Sequence, residues 1–334
     1  MVKARKYVVK KVFEGLPKRE DFEIVEYELP PIRNGEILVK AEWVSVDPYM
    51  RAYNVRFPIP YDQFGYQVGV VEDSKDPRFP VGTRVVSHTG WCDYSIIDTN
   101  EPQPPAGKVY KLPNLHGLSN SLGVGAVGMP GTTAYFAFLE ICKPKAGETV
   151  VVTGAAGAVG SLVGQIAKIK GCKVIGFAGS DEKVKWLEEI GFDKAINYKT
   201  ADIKTALQEA APNGVDCFFD NVGGEVSSSV IYQMNDFGRV AVVGSISSYN
   251  ESPTNIPKAT ILQPVVVAKE LTIAGFRVWQ ALHRQSDAHN PLIKWIQSGE
   301  LKPREHITEG FENIYDAFVG MLKGENFGKA VVKL

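Results

Sequence analysis

Residues 150–160 read Val-Val-Val-Thr-Gly-Ala-Ala-Gly-Ala-Val-Gly, and a helical pattern follows over 161–170. An apolar strand that runs into glycines 154, 157 and 160 and then into a helix is the order a dinucleotide fold requires. The first glycine permits a tight turn, the second lets the backbone approach a pyrophosphate, and the third lets helix pack closely on strand. The helix N-terminus then directs free N–H groups at the pyrophosphate. The spacing GxxGxxG is looser than GxGxxG. Taken by itself it also suits a glycine-rich turn in any α/β sheet, so the elements around it decide.

Those elements alternate. Strand 149–153 leads to helix 158–170, strand 173–177 to helix 181–190, and strand 194–197 to helix 201–210. Strand 215–219, helix 225–235, strand 238–243 and a late strand 271–278 complete the series. Such alternation predicts right-handed crossovers and an α/β, doubly wound parallel sheet covered on both faces. The first 125 residues read differently. Runs at 36–44, 65–72 and 83–87 alternate with period two, a turn lies at 80–82, and the proline-rich stretch 102–107 reads as a surface loop. With 334 residues, two domains are expected. We place a strand-rich barrel domain at 1–125 and the dinucleotide domain at 126–290. Residues 291–334, a helix, a turn and a last strand at 329–334, return to the first domain.

A net charge of −1 gives no bulk attraction to nucleic acid or anionic membrane. No run of 18 apolar residues predicts a membrane span, and the first 13 residues lack the apolar core of a secretory signal. Cys92, Cys142, Cys172 and Cys217 form no CxxC pair, which speaks against a zinc cluster or a disulfide framework and suits a reducing cytoplasm.

The second strand of the alternating series should end near an adenine ribose, where NAD-selective folds place Asp or Glu. Here it runs into Ala178-Gly179-Ser180, with Lys183 on the next helix and Tyr198 after the third strand. A lysine and hydroxyls without the repelling carboxylate favour NADPH; Lys183 also reads as a solvated helix lysine. Asp181 reads two ways, as an acid near a helix N-terminus or as a ligand for a ribose diol. Asn221 and the backbone of 244–249 follow strands at the same sheet edge and suit ribose and nicotinamide, or plain turns. His88, His116, His283, His289 and His306 show no ligand spacing and read as structural or exposed.

Distinctive stretches run end to end: Val46-Asp47-Pro48-Tyr49-Met50-Arg51, Gly128-Met129-Pro130-Gly131-Thr132-Thr133-Ala134-Tyr135, Ala155-Ala156-Gly157-Ala158-Val159-Gly160, Gly179-Ser180-Asp181-Glu182-Lys183, Phe219-Asp220-Asn221-Val222-Gly223-Gly224, Gly310-Phe311-Glu312-Asn313 and Asn326-Phe327-Gly328-Lys329. Through them the chain resembles the zinc-independent medium-chain dehydrogenase/reductase superfamily, in its prostaglandin reductase group of alkenal/one oxidoreductases. The resemblance implies a Rossmann domain packed on a GroES-like β-barrel domain, an active site in the cleft, and a homodimer. It implies NADPH held by the turn (Gly154, Gly157, Ala158, Val159, Gly160) and by Ser180, Lys183, Tyr198 and Asn221. Further contacts are implied from Val243, Gly244, Ser245, Ile246, Ser247, Ser248 and Tyr249, and from Phe276, Arg277, Val278 and Asn326. Zinc-dependent members carry Cys near the position of Asp47 and Gly-His-Glu near Gly65-Tyr66-Gln67. Neither is present, so no metal is expected. Many members of the group also carry a tyrosine where this chain reads Ala268 before Lys269-Glu270-Leu271.

Without a metal to polarise a carbonyl, alcohol dehydrogenation lacks its usual Lewis acid. Reduction of an activated carbon–carbon double bond needs only donors for a developing enolate oxygen and a proton for the α-carbon. Tyr49 and Tyr249 are the candidate catalytic donors, with water or a cofactor ribose hydroxyl completing the path; each also suits an apolar wall with a satisfied hydroxyl. The implied substrates are small lipid-derived enones and enals such as 15-oxo-prostaglandins and 4-hydroxyalkenals, with oxidation of the leukotriene B4 12-hydroxyl as a further activity. NADPH:quinone reduction and a low-turnover NADPH-binding protein are the competing readings.

Overall fold

The apolar run at 149–152 is buried at every position, as a strand covered on both faces must be. The computed structural model describes residues 2–100, 109–251 and 260–334; the loop expected at 102–107 lies outside them. The chain divides into two units. One comprises residues 1–128, 305–326 and 330–334, and the other residues 129–304 and 327–329.

The second unit is a Rossmann fold. Its six-stranded sheet is ordered Lys194–Asn197, Lys173–Ala178, Thr149–Val152, Val215–Asp220, Met234–Val242, Thr272–Gly275, and every pairing is parallel. In chain order the strands run third, second, first, fourth, fifth, sixth, so the winding reverses between Thr149–Val152 and Val215–Asp220. Ligands bind at the carboxyl ends of strands at such a reversal. The helix Gly160–Ile169 packs close to the strand Lys173–Ala178 because Gly164 and Gly176 leave room for one ring. A Cβ on Gly164 would lie 1.9 Å from Phe192, and one on Gly176 would lie 2.8 Å from it.

The boundaries differ most from the sequence pattern in two regions. The helix expected over 225–235 is Gly224–Ile231, and the following strand begins early, at Met234. Buried Met234 pairs with Val215 ahead of a register shift, and Phe237 takes a positive φ of 59°. That irregular lead-in has no period to read. The late strand is only Thr272–Gly275 because a 3-10 turn over Val278–Gln280 follows.

The first unit is mainly antiparallel. Phe22–Leu29, Val2–Val9 and Tyr61–Asp62 form one sheet. The larger sheet runs Glu305–Glu309, Lys329–Lys333, Glu36–Ser45, Gln67–Ser74, Arg84–Ser87, Tyr110–Lys111, with Tyr94–Asp98 also on Glu36–Ser45. Register shifts at Leu38/Val39 and Ala41/Trp43 bend the sheet where the two longest strands pair. The core is aromatic and is built from both ends of the chain. Trp91 meets Tyr7 edge-on at 5.5 Å and Phe318 at 5.3 Å, and stacks on Phe22 at 5.8 Å. Its indole N–H donates to the Ser45 carbonyl at 3.1 Å.

Phe318 is fully buried in this core. Phe318→Ala is expected to cost about 3–5 kcal/mol in denaturant unfolding. Val81→Ala, at a position 63% exposed, should stay within about 0.5 kcal/mol. Equal midpoints for the two variants would show that the last helix, Ile314–Lys323, does not close this core.

Candidate dinucleotide site and active-site residues

The carboxyl ends of the two strands at the reversal are tied together by one buried carboxylate. Asp220 accepts from Thr153 Oγ1 at 2.9 Å, from the N–H groups of Val222 and Gly223 at 3.0 Å each, and from Ser227 Oγ at 2.7 Å. Four donors satisfy a charge that would otherwise be costly to bury. Thr153 Oγ1 also accepts from the Asn221 N–H at 3.0 Å, and Asn221 Nδ2 donates to the Thr153 carbonyl at 2.7 Å. This leaves Asn221 Oδ1 with no donor among the described residues.

Beyond Thr153 the glycine turn forms a cradle. Gly154 has φ +58°, and a Cβ on Gly160 would lie 2.4 Å from the Gly154 carbonyl oxygen. Gly157 N–H donates back to Gly154 at 3.0 Å, and Ser161 N–H to Gly157 at 3.1 Å. The N–H groups of Ala158, Val159 and Gly160 donate to no other described residue. Three unclaimed amide donors at the start of a helix, on a turn too tight for a side chain at 160, fit a pyrophosphate.

Past the second strand, Ser180 Oγ accepts the Lys183 N–H at 3.3 Å and caps the helix Asp181–Glu189. Asp181 accepts from Asn197 Nδ2 at 2.7 Å. Gly179 makes room for Tyr198: a Cβ there would lie 3.0 Å from the Tyr198 hydroxyl. Lys183 is half-buried, and burial together with the nearby Lys199 charge pulls its pKa below the usual lysine value. A phosphate fits such a cation.

The 243–249 loop is seated on 220–222. Val243 N–H donates to Asp220 O at 2.8 Å, Ile246 N–H to Asn221 O at 3.2 Å, and Ser247 N–H to Val222 O at 3.1 Å. Within the loop the Tyr249 hydroxyl accepts the Ser245 N–H at 3.2 Å. Phe276 N–H donates to Val242 O at 3.0 Å, and the Arg277 guanidinium lies 5.4 Å from the Trp279 ring centre. The second unit thus brings together the turn, Ser180, Lys183 and Tyr198, and it seats the Tyr249 loop on Asn221. Asn326 belongs to the first unit.

Tyr49 also belongs to the first unit. Its ring stacks on Phe64 at 5.7 Å and meets Tyr53 edge-on at 5.8 Å. Its hydroxyl lies 3.3 Å from His88 Nε2, a partner that sequence reasoning missed. Thirty-nine residues separate the two, and no motif links them. Burial raises the Tyr49 phenol well above its ordinary pKa and lowers His88 to about 4. At neutral pH the pair is therefore an uncharged imidazole beside an intact phenol. His88 also meets Tyr66 edge-on at 4.7 Å. Gln67 is spent on the backbone, donating to Gly90 O at 2.6 Å and Cys92 O at 3.1 Å. Among the described residues no three His, Cys, Asp or Glu side chains gather as a metal would need.

Two family models match the chain, an N-terminal domain of oxidoreductase over residues 5–104 and a zinc-binding dehydrogenase over residues 158–298. Prostaglandin reductase 1 of Bos taurus is 49% identical over 100% of both chains. The NADP(+)-dependent 2-alkenal reductase of Nicotiana tabacum is 38% identical, with 99% of this chain and 97% of that protein covered. Among solved structures, CurA of Vibrio vulnificus in complex with NADPH matches with a TM-score of 0.90 at 36% identity, over 98% of each chain. The likeness at this identity over the full length places the chain in the zinc-independent medium-chain dehydrogenase/reductase family, in the group that contains prostaglandin reductase 1.

Proposed function

We propose that this protein is an NADPH-dependent reductase of the α,β carbon–carbon double bond of enones and enals. The observation that carries the reading is the end-to-end likeness to prostaglandin reductase 1 and to a 2-alkenal reductase. The site chemistry agrees with it. The N–H groups of 158–160 would hold the pyrophosphate, and Lys183 and Tyr198 the 2′-phosphate. Asn221 and the 243–249 loop would hold the nicotinamide half, with Phe276, Arg277, Val278 and Asn326 as further contacts. When bound, NADPH supplies a hydride, which a conjugated double bond accepts at its β-carbon.

The chain's own part is to stabilise charge and deliver a proton. Tyr49 donates a hydrogen bond to the carbonyl oxygen as negative charge develops there. A neutral His88 cannot take the proton from so weak an acid, so the phenol stays a donor. Tyr249 is the second donor; because its oxygen already accepts from Ser245, its hydroxyl also holds the cofactor loop in shape. Water completes the supply of the α-proton. Lipid-derived enones and enals are the substrate class. A cytoplasmic homodimer completes the reading. The edge strand Thr272–Gly275, with Ile273 40% exposed and Val267 77% exposed nearby in sequence, is the kind of surface a second copy covers.

Three measurements test this. NADPH should be strongly preferred over NADH, and Lys183→Ala should weaken NADPH by about tenfold or more while leaving NADH nearly unchanged. Equal losses for both cofactors would remove Lys183 from the 2′-phosphate.

Elemental analysis of active protein should find far less than one zinc per chain, and a chelator should leave turnover intact. Stoichiometric zinc lost together with activity would overturn the metal-free chemistry.

Tyr49→Phe and Tyr249→Phe should each lower kcat by less than about a hundredfold, because water substitutes for a missing donor. Tyr249→Phe should in addition weaken cofactor binding through the lost Ser245 bond. Label from the nicotinamide should appear at the substrate β-carbon in both variants. Label at the carbonyl carbon, or turnover of quinones with none of enones, would refute double-bond reduction.

A further inference from the structure

Arg304 is fixed to the glycine turn through the segment 327–329. Its carbonyl accepts the Lys329 N–H at 2.9 Å. Gly328 packs so closely on that carbonyl that a Cβ would lie 2.0 Å from it. The Gly328 N–H donates to the Ala156 carbonyl at 2.8 Å, and Gly328 bridges to Gly157. Turn, segment and Arg304 backbone therefore hold one another in place.

On this frame two cations share a single ring. The Arg304 guanidinium carbon lies 4.3 Å from the centre of Phe327, and Lys183 Nζ lies 5.7 Å from the same centre. Trp186 supports the arrangement, edge-on to Phe327 at 5.7 Å and 5.4 Å from the Arg304 guanidinium. Arg304 forms no ion pair and no side-chain hydrogen bond among the described residues. Burial and the Lys199 charge already weigh on the Lys183 ammonium. A bound anion relieves both effects. A guanidinium stacked on an aromatic face keeps its in-plane N–H fork free, the geometry that takes a phosphate in two bonds.

We propose that Arg304 is a second phosphate-binding cation, closing with Lys183 on the 2′-phosphate of NADPH, and that Phe327 sets the spacing of the pair. The inference rests on the placement of that phosphate at Lys183 given above. In it Lys183 acts as a point charge and Arg304 as a fork, so 2′-phosphate recognition draws on a residue far from the second strand and its following helix.

The test is calorimetric titration of the full-length protein with NADP+, NAD+, 2′,5′-ADP and 5′-AMP, for wild type, Arg304→Ala, Arg304→Lys and Lys183→Ala, with melting curves to confirm folding. Arg304→Ala should weaken NADP+ and 2′,5′-ADP by about tenfold and leave NAD+ and 5′-AMP within about twofold. Arg304→Lys should recover part of the loss, since charge returns without the fork. Affinity for NADP+ should fall less steeply with salt once Arg304 is gone. If Lys183→Ala discriminates between the two cofactors but Arg304→Ala weakens both equally, or neither, the role of Arg304 is refuted. If Lys183→Ala leaves NADP+ unchanged, the phosphate lies elsewhere and the placement itself fails.

Discussion

The buried Asp220 carboxylate is the constraint on which the candidate cofactor site depends. It sits where the winding of the parallel sheet reverses, and its four donors come from both sides of that reversal. Hydrogen bonds to a charged group contribute roughly 1.5–3 kcal/mol each where they replace bonds to water. Together they hold the end of the strand Thr149–Val152 against the turn 221–223. The 243–249 loop is in turn seated on the 220–222 backbone, so one side chain sets the positions of three segments of the candidate cofactor site.

The first unit solves a different problem. Short antiparallel strands bury little surface each, and the core is completed by aromatic rings brought from the C-terminal segment. Trp91 sits between Tyr7 near the start of the chain and Phe318 near its end. Tyr49 and His88 stand on this unit, so the proposed donor chemistry depends on a core that the chain closes only with its last helix.

Burial decides the chemistry available to that pair. It moves the phenol and the imidazole away from neutrality in opposite directions, so neither titrates near pH 7. What remains is a hydrogen-bond donor of fixed charge state. This suits stabilisation of an enolate oxygen better than it suits storing a proton.

Much of the second unit was legible in the sequence because its signals are local. The glycine turn, the apolar strands buried on both faces, and the missing carboxylate after the strand Lys173–Ala178 each follow from neighbours in the chain. Boundaries missed by most where periodicity fails, at the irregular Met234–Phe237 lead-in and at the strand cut short after Gly275. The Tyr49–His88 contact and the Arg304–Phe327–Lys183 cluster carry no local signature, because each joins residues that meet only when distant segments pack. The sequence by itself determined the two kinds of strand pattern, the dinucleotide turn and the bias toward NADPH, since steric demand and charge act there between adjacent residues. Only the tertiary structure decided which donors satisfy Asp220, which histidine touches Tyr49 and which arginine shares a ring with Lys183, because those choices are made by packing across the sheet.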